Sequence, residues 1–164
     1  MHSAVLGFVE RFATKDAIDI LDIGGRNVNG TPREMFPNAR YTVLDIRAGG
    51  NVDIVADAAS WHPDGRNWDL VLSTECFEHT PDYPEICKTA YKACKQGGRI
   101  VVTCAGPGRV PHSAFVEAGV QPGEYYANVE PAELSNALRI AGFVDVEVDQ
   151  VGLDLQATGR RMQL

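Results

Sequence analysis

Residues 18–25, Ile18-Asp19-Ile20-Leu21-Asp22-Ile23-Gly24-Gly25, join a short apolar run to a pair of glycines. Only Asp19 and Asp22 interrupt the run, as in a strand covered on both faces, and the glycines stop it. Glycine accepts positive φ and lets the backbone pass close to a ligand. In an open parallel sheet, ligands bind beyond the carboxyl ends of the strands, near the switch in strand order. The turn is therefore the first place to look for a site. Its spacing is not G-x-G-x-x-G, and no Gly-Lys-Ser/Thr follows to hold a triphosphate.

Outward from this turn, strands and helices alternate. Val5, Leu6, Phe8, Val9, Phe12 and Ala13 recur at helical spacing, which predicts an N-terminal helix within residues 1–15, over 3–15. Pro32 opens a short helix through Met35 and Phe36, and Pro37 ends it. Tyr41 to Ile46 and Val52 to Ala56 read as the second and third strands, linked too tightly for a helix between them. Trp68 to Ser73 is the fourth strand. Residues 82–95 form a helix with a core face of Tyr83, Ile86, Cys87, Ala90, Tyr91 and Cys94, and Gly97-Gly98 reads as its C-cap. Arg99 to Cys104 is a fifth, near-continuously apolar strand. Residues 105–129, rich in Gly and Pro, form a long loop of the kind that is usually functional. Pro131 then starts a helix, with Val129 stapled onto Leu134, and Gly142 ends it. Phe143 to Val148 and Leu153 to Thr158 are two strands so closely linked that they pair antiparallel. The fold class is α/β, a mostly parallel sheet with helices on both faces. A plain dinucleotide-binding sheet has no need of the final hairpin.

The 164 residues amount to one domain, 1–164, with enough chain to bury a core without staples. The formal net charge of −7 argues against a broad footprint on nucleic acid or anionic lipid. Cys76, Cys87, Cys94 and Cys104 form no C-x-x-C pair and no zinc-ligand spacing, so no metal is expected. Cys87 and Cys94 fall on one helix face as reduced core residues. Reduced thiols and the lack of a signal-peptide pattern predict a cytoplasmic protein, and no apolar run approaches a membrane span.

The strand ends carry the polar residues. Asp45 closes the second strand 21 residues after Gly24, near the spacing of an acid that holds both hydroxyls of a ribose. Asp57-Ala58 closes the third strand. There a carboxylate accepts from an adenine amino group while the next amide donates to the ring; a turn-capping role is the alternative. Trp61 either walls that pocket or is core. After the fourth strand comes Ser73-Thr74-Glu75-Cys76-Phe77-Glu78-His79. Glu75 faces the cofactor in this reading, Glu78 suits a first helical turn, and His79 is a base or a structural residue.

The runs LDIGGRNVNG, YTVLDI, VADAASW, WDLVLSTECFEHTPD, KACKQGGRIVVTCAGPG and AELSNALRIAGFVDVEV resemble, in order and spacing, the class I S-adenosylmethionine-dependent methyltransferase family. The resemblance covers nearly the whole chain. It implies a Rossmann-like three-layer sandwich, a seven-stranded sheet of order 3-2-1-4-5-7-6 with the seventh strand antiparallel. It also implies S-adenosylmethionine as methyl donor. By position, Asp22, Gly24, Gly25 and Arg26 line the methionine end, Asp45 and Ile46 the ribose, Asp57 and Ala58 the adenine. Ser73, Thr74 and Glu75 lie beneath the sulfonium. Arg26 departs from the family, which commonly has a glycine there.

Methyl transfer needs an aligned nucleophile and the exclusion of water. For an oxygen nucleophile, His79 and His112 are the candidate bases. His112 lies in the long loop, expected to act as a substrate lid, with Arg109, Ser113, Tyr125 and Tyr126 as candidate acceptor contacts. The acidic balance favours a small-molecule acceptor over nucleic acid. Two other classes share parts of the pattern: a non-catalytic module of the same fold that binds cofactor or partner, and a NAD-dependent oxidoreductase. The missing G-x-G-x-x-G and the C-terminal hairpin count against the last.

Overall fold

Seven strands form one sheet in the order β3-β2-β1-β4-β5-β7-β6 in the computed structural model, which describes residues 3–163. The strands are β1 (Asp19–Ile23), β2 (Arg40–Asp45), β3 (Ile54–Val55), β4 (Trp68–Thr74), β5 (Cys94–Ala105), β6 (Val144–Val151) and β7 (Asp154–Arg160). The first five run parallel, and β7 lies antiparallel between β5 and β6. The expected order and the antiparallel C-terminal strand are both present.

Period-two alternation divides the core between the two faces of the sheet. Leu21, Val71, Ile100 and Val102 point to one face, where α2 (Tyr83–Ala93) and α3 (Pro131–Ala141) pack. Ile20, Leu70, Leu72 and Val101 point to the other. That face is covered by Phe8 and Val9 of α1 (Ser3–Glu10) and by Phe36, just after a 3-10 turn at Pro32–Met35. Trp61 packs on the core, 6.0 Å from Trp68, and lines no part of the site described below.

Several boundaries differ from the sequence reading. The N-terminal helix, expected to residue 15, ends at Glu10. The amides of Arg11, Phe12 and Ala13 then reach back only three residues, to Phe8, Val9 and Glu10, and tighten the chain out of α-helix. Residues 1 and 2 of that expected helix lie outside the described residues. The second difference is at Gly97-Gly98, which caps no helix. Helix α2 stops at Ala93, and Cys94, expected on its core face, is already extended and opens β5. Gly97 has φ +76°, and a Cβ on Gly98 would sit 2.8 Å from the Lys95 carbonyl oxygen and 2.9 Å from that of Asp69. The glycines admit a bulge in a strand, where the ladder to β4 shifts between Trp68 and Leu70. Third, β3 shrinks to two residues, and β6 and β7 extend to Val151 and Arg160.

At the other glycine stop the expectation matches. Gly142 is the left-handed C-cap of α3 at φ +115°, and Val129 and Leu134 are buried in the same cluster.

Candidate active site

The carboxyl ends of β1, β2 and β4 open under the loop of residues 106–130. Two adjoining cavities lie between strand ends and loop, of about 510 and 530 Å³. We refer to the strand ends as the floor and the loop as the roof.

The first cavity is floored by Gly24, Asp45, Ile46, Asp57 and Ala58. Asp45 is fixed by backbone. The Arg26 amide donates to one carboxylate oxygen at 3.1 Å, and the Arg47 amide to the other at 2.9 Å. Each oxygen keeps an unused lone pair, so the carboxylate still accepts from two neighbouring hydroxyls. Asp57 caps its own turn, accepting from the Ala59 amide at 2.9 Å, and also faces the cavity. The turn-capping alternative is thus present, and it leaves the side chain on the cavity wall. Gly24 is at φ +74°, and a Cβ there would sit 2.5 Å from the Cys76 sulfur, so the sequence has no alternative at this position. Burial pushes the Cys76 thiol up to about 12, which makes it an inert wall and not a nucleophile.

The second cavity is lined by Asp22, Gly25, Thr74, Arg109, His112 and Ser113 among others, and shares Gly24, Arg26, Glu75 and His79 with the first. Asp22 lies beneath Gly25: a Cβ on Gly25 would come within 2.4 Å of its carboxyl carbon. Burial raises the Asp22 carboxyl to about 7; the hydroxyl of Tyr41, donating at 2.7 Å, opposes that shift, and the charge of Asp45 adds to it. Glu75 adopts φ +55°, a left-handed conformation unusual for a non-glycine residue and often held at functional sites. Its amide donates to Thr103 at 2.8 Å, and its carboxylate lies 3.7 Å from Arg109. Arg109 also pairs with Asp154 at the start of β7.

His79 sits where the two cavities meet. Burial lowers its pKa to about 4, with help from the neighbouring His112 and opposition from Glu124, so the ring is neutral at physiological pH. The rings of His79, His112 and Tyr126 form a triangle with centroids 5.0 to 5.4 Å apart. The structure thus brings the two candidate bases together from the floor and the roof. Tyr126 is their packing partner and lines neither cavity, whereas Tyr125 lines the first. Ser73 does not reach the site: it is 1% exposed, and its hydroxyl donates to the Ile23 carbonyl at 3.0 Å, propping the end of β1.

Three residues lay outside the sequence expectations. Arg47 lies 3.3 Å from the ring centroid of Phe115, and Arg26 lies 5.7 Å from it on a line that also brings its guanidinium to the Phe115 carbonyl at 3.4 Å. Phe115 is thus the roof residue gripped from the floor. Glu124 accepts from Ser113 at 2.8 Å, closing the roof upon itself and confining Ser113 to a structural contact in addition to its place on the cavity wall. An aromatic inside a Gly/Pro-rich loop, opposite a basic residue two positions past Asp45, was the available signal.

Residues 1–148 match a family described as a methyltransferase domain. The chain is a member of the class I S-adenosylmethionine-dependent methyltransferase family. It is 27% identical over 97 residues to phosphoethanolamine N-methyltransferase 2 of Caenorhabditis elegans, a match covering 59% of this chain and 22% of that protein. It is 30% identical over 94 residues to phosphoethanolamine N-methyltransferase 1 of Arabidopsis thaliana, covering 56% and 18%. The chain thus spans about a fifth of the length of these curated relatives. Among solved structures, DhpI in its SAH complex superposes with a TM-score of 0.71 at 22% identity, covering 97% of this methyltransferase-family chain and 84% of that one. The 1,6-didemethyltoxoflavin-N1-methyltransferase of Burkholderia thailandensis gives 0.69 at 19% identity, covering 98% and 79%. At these identities the likeness is one of fold.

Proposed function

We propose that the chain transfers the methyl group of S-adenosylmethionine to a small-molecule acceptor by in-line displacement. The observation that carries this reading is Asp45, clamped by two backbone amides and facing a cavity of about 510 Å³ beside Asp57 and Ala58. A carboxylate held in this way is preorganised for a ribose diol, and the pair beyond it for an adenine edge. Gly24 and Gly25 leave no room for side chains against Cys76 and Asp22, which keeps the methionine end of the cavity open. When bound, S-adenosylmethionine supplies a methyl carbon already activated by a cationic sulfur.

What remains for the protein is alignment and a dry cavity. Glu75 and His79 stand at the junction of the two cavities, where methyl donor and acceptor would meet, and the roof covers both. His79, neutral at physiological pH, and His112 are the groups that activate an acceptor hydroxyl or amine. Arg109, Ser113 and Tyr125 line the acceptor's surroundings. A small acceptor fits the second cavity of about 530 Å³ and is the kind named for the phosphoethanolamine relatives. The net charge of −7 supports the same choice over nucleic acid. Four unpaired thiols support a reducing, cytoplasmic setting. Among the described residues no helix is long and apolar enough to cross a membrane.

The test is thermal unfolding of the protein alone and with S-adenosylmethionine, S-adenosylhomocysteine or NAD. A ligand at a hundred times its dissociation constant adds roughly 2.7 kcal/mol, a shift of about 5 to 10 °C for a domain this size. The reading expects that shift with the two sulfur ligands and not with NAD. A shift with NAD alone overturns it.

A further inference from the structure

Glu78 is fully buried, and neither of its carboxylate oxygens has a hydrogen-bond partner. Burial is the main force holding its carboxyl well above the ordinary range; the charge of Glu75 acts in the same direction, and Arg109 and the nearby amides of Glu78 and Ala105 oppose it. Against one of the Glu78 oxygens, at 3.8 Å, stands Nε2 of His112. The other nitrogen of that ring, Nδ1, lies 3.2 Å from the Val110 carbonyl oxygen. A carbonyl only accepts, so Nδ1 is the donor there and Nε2 is the ring atom left facing the carboxylate. His79 completes the group. Its Nδ1 is buried without a hydrogen-bond partner, and one donor atom from each of the three residues lies within 4.8 Å of the others.

Lone pairs converging in a buried place need something positive between them. A shared proton would satisfy Glu78 and His112 and leave His79 out. A cation satisfies all three. Two imidazoles and one carboxylate form a donor set suited to zinc, and the Nδ1–H to carbonyl bond of His112 is the outer contact that orients a metal-bound histidine. Zinc places its donors about 2.0 to 2.2 Å from the metal, hence roughly 3.3 to 3.6 Å from each other, so the present spread closes by small side-chain rotations.

We propose that Glu78, His79 and His112 form a divalent-metal site for zinc, with the open coordination position facing the junction of the two cavities. This deepens the methyl-transfer reading and rests on it for the metal's role. An acceptor hydroxyl bound at the open position loses its proton to solvent more readily because the cation lowers its pKa. The oxygen lone pair then forms the bond to the methyl carbon, and the electron pair of the broken carbon–sulfur bond stays on sulfur. With the ion in place His79 and His112 activate the nucleophile through it, whereas the metal-free rings would take the proton directly. The acceptor class implied is one that presents a hydroxyl oxygen.

The experiment is titration of chelator-stripped protein with Co²⁺ as a spectroscopic probe, followed by competition with Zn²⁺. We expect visible d–d bands that saturate at one equivalent and disappear on adding Zn²⁺. The bands vanish in His112→Ala, a change in the roof loop that leaves the S-adenosylmethionine-induced thermal shift in place, and in Glu78→Gln. Wild-type protein without bands overturns the site, as do bands that persist in His112→Ala and Glu78→Gln alike. The thermal shift is scored separately: its loss in wild type counts against the methyl-transfer reading, whereas the cobalt bands judge the metal site alone.

Discussion

The floor and the roof of the site are built by opposite means. The floor consists of strand ends whose positions follow from the parallel ladder, and its key carboxylate is held by amides of its own neighbourhood. The roof has no helix or strand of its own between residues 106 and 130. It is held by scattered contacts: Phe115 against two arginines, Ser113 on Glu124 within the loop, and one backbone bond from the Ala127 amide to the Glu78 carbonyl at 2.9 Å. Geometry fixed by many backbone bonds tolerates little change. Geometry fixed by isolated contacts gives way one contact at a time.

The sharpest break of this contrast is Asp45→Ala on the floor. It removes the acceptor oxygens of two expected ribose hydroxyls, so affinity for S-adenosylmethionine should fall by roughly two orders of magnitude or more. Isothermal titration reads it directly, with the melting temperature of the free protein as control. Next is Asp22→Asn. A buried carboxyl with its pKa raised from 3.8 to about 7 binds more protons folded than unfolded between those values. Its contribution to stability is therefore present below pH 3.8 and lost as pH rises to about 7. Unfolding by denaturant at pH 5 and pH 8 should show that loss, amounting to a few kcal/mol, in wild type and a flatter profile in the variant.

Gly25→Ala follows. The new methyl group must displace the Asp22 carboxyl, which should cost about 1 to 3 kcal/mol of stability, or roughly 2 to 4 °C of melting temperature per kcal/mol. An unchanged melting temperature would mean that the floor is softer than argued. The smallest effect belongs to the roof. Phe115→Ala removes the grip of Arg26 and Arg47, worth about 0.5 to 2 kcal/mol. The KM for methyl donor should rise by roughly 3- to 30-fold with little change in melting temperature. If Phe115→Ala instead unfolds the protein as readily as Gly25→Ala, the distinction between floor and roof fails.

The same contrast governs what the sequence discloses. Strand ends are legible because period-two apolar runs stop at them, and polar residues there have few other reasons to occur. Gly24, Asp45 and Asp57 were found in this way and all line the first cavity. Ser73 fits that rule and yet serves the backbone, its hydroxyl spent on the Ile23 carbonyl, while Thr74 and, past the strand at φ +55°, Glu75 reach the second cavity. Gly97-Gly98 was misread because a glycine at positive φ looks alike in a helix cap and a strand bulge; the contact that decides, with Asp69 on β4, is distant in sequence. The roof was legible only as composition. That Phe115 meets Arg47, or that His112 meets Glu78 and His79, depends on how a loop without periodicity folds back over the sheet.

Arg26 and Arg47 donate through their amides to Asp45 and hold Phe115 through their side chains. The two residues that secure the carboxylate beneath the donor's expected seat thus also fasten the cover above it. Clamp and cover therefore run through the same two residues. A substitution that removes either arginine's hold on Phe115 should then also be felt at Asp45, and the two effects should not add as independent changes do.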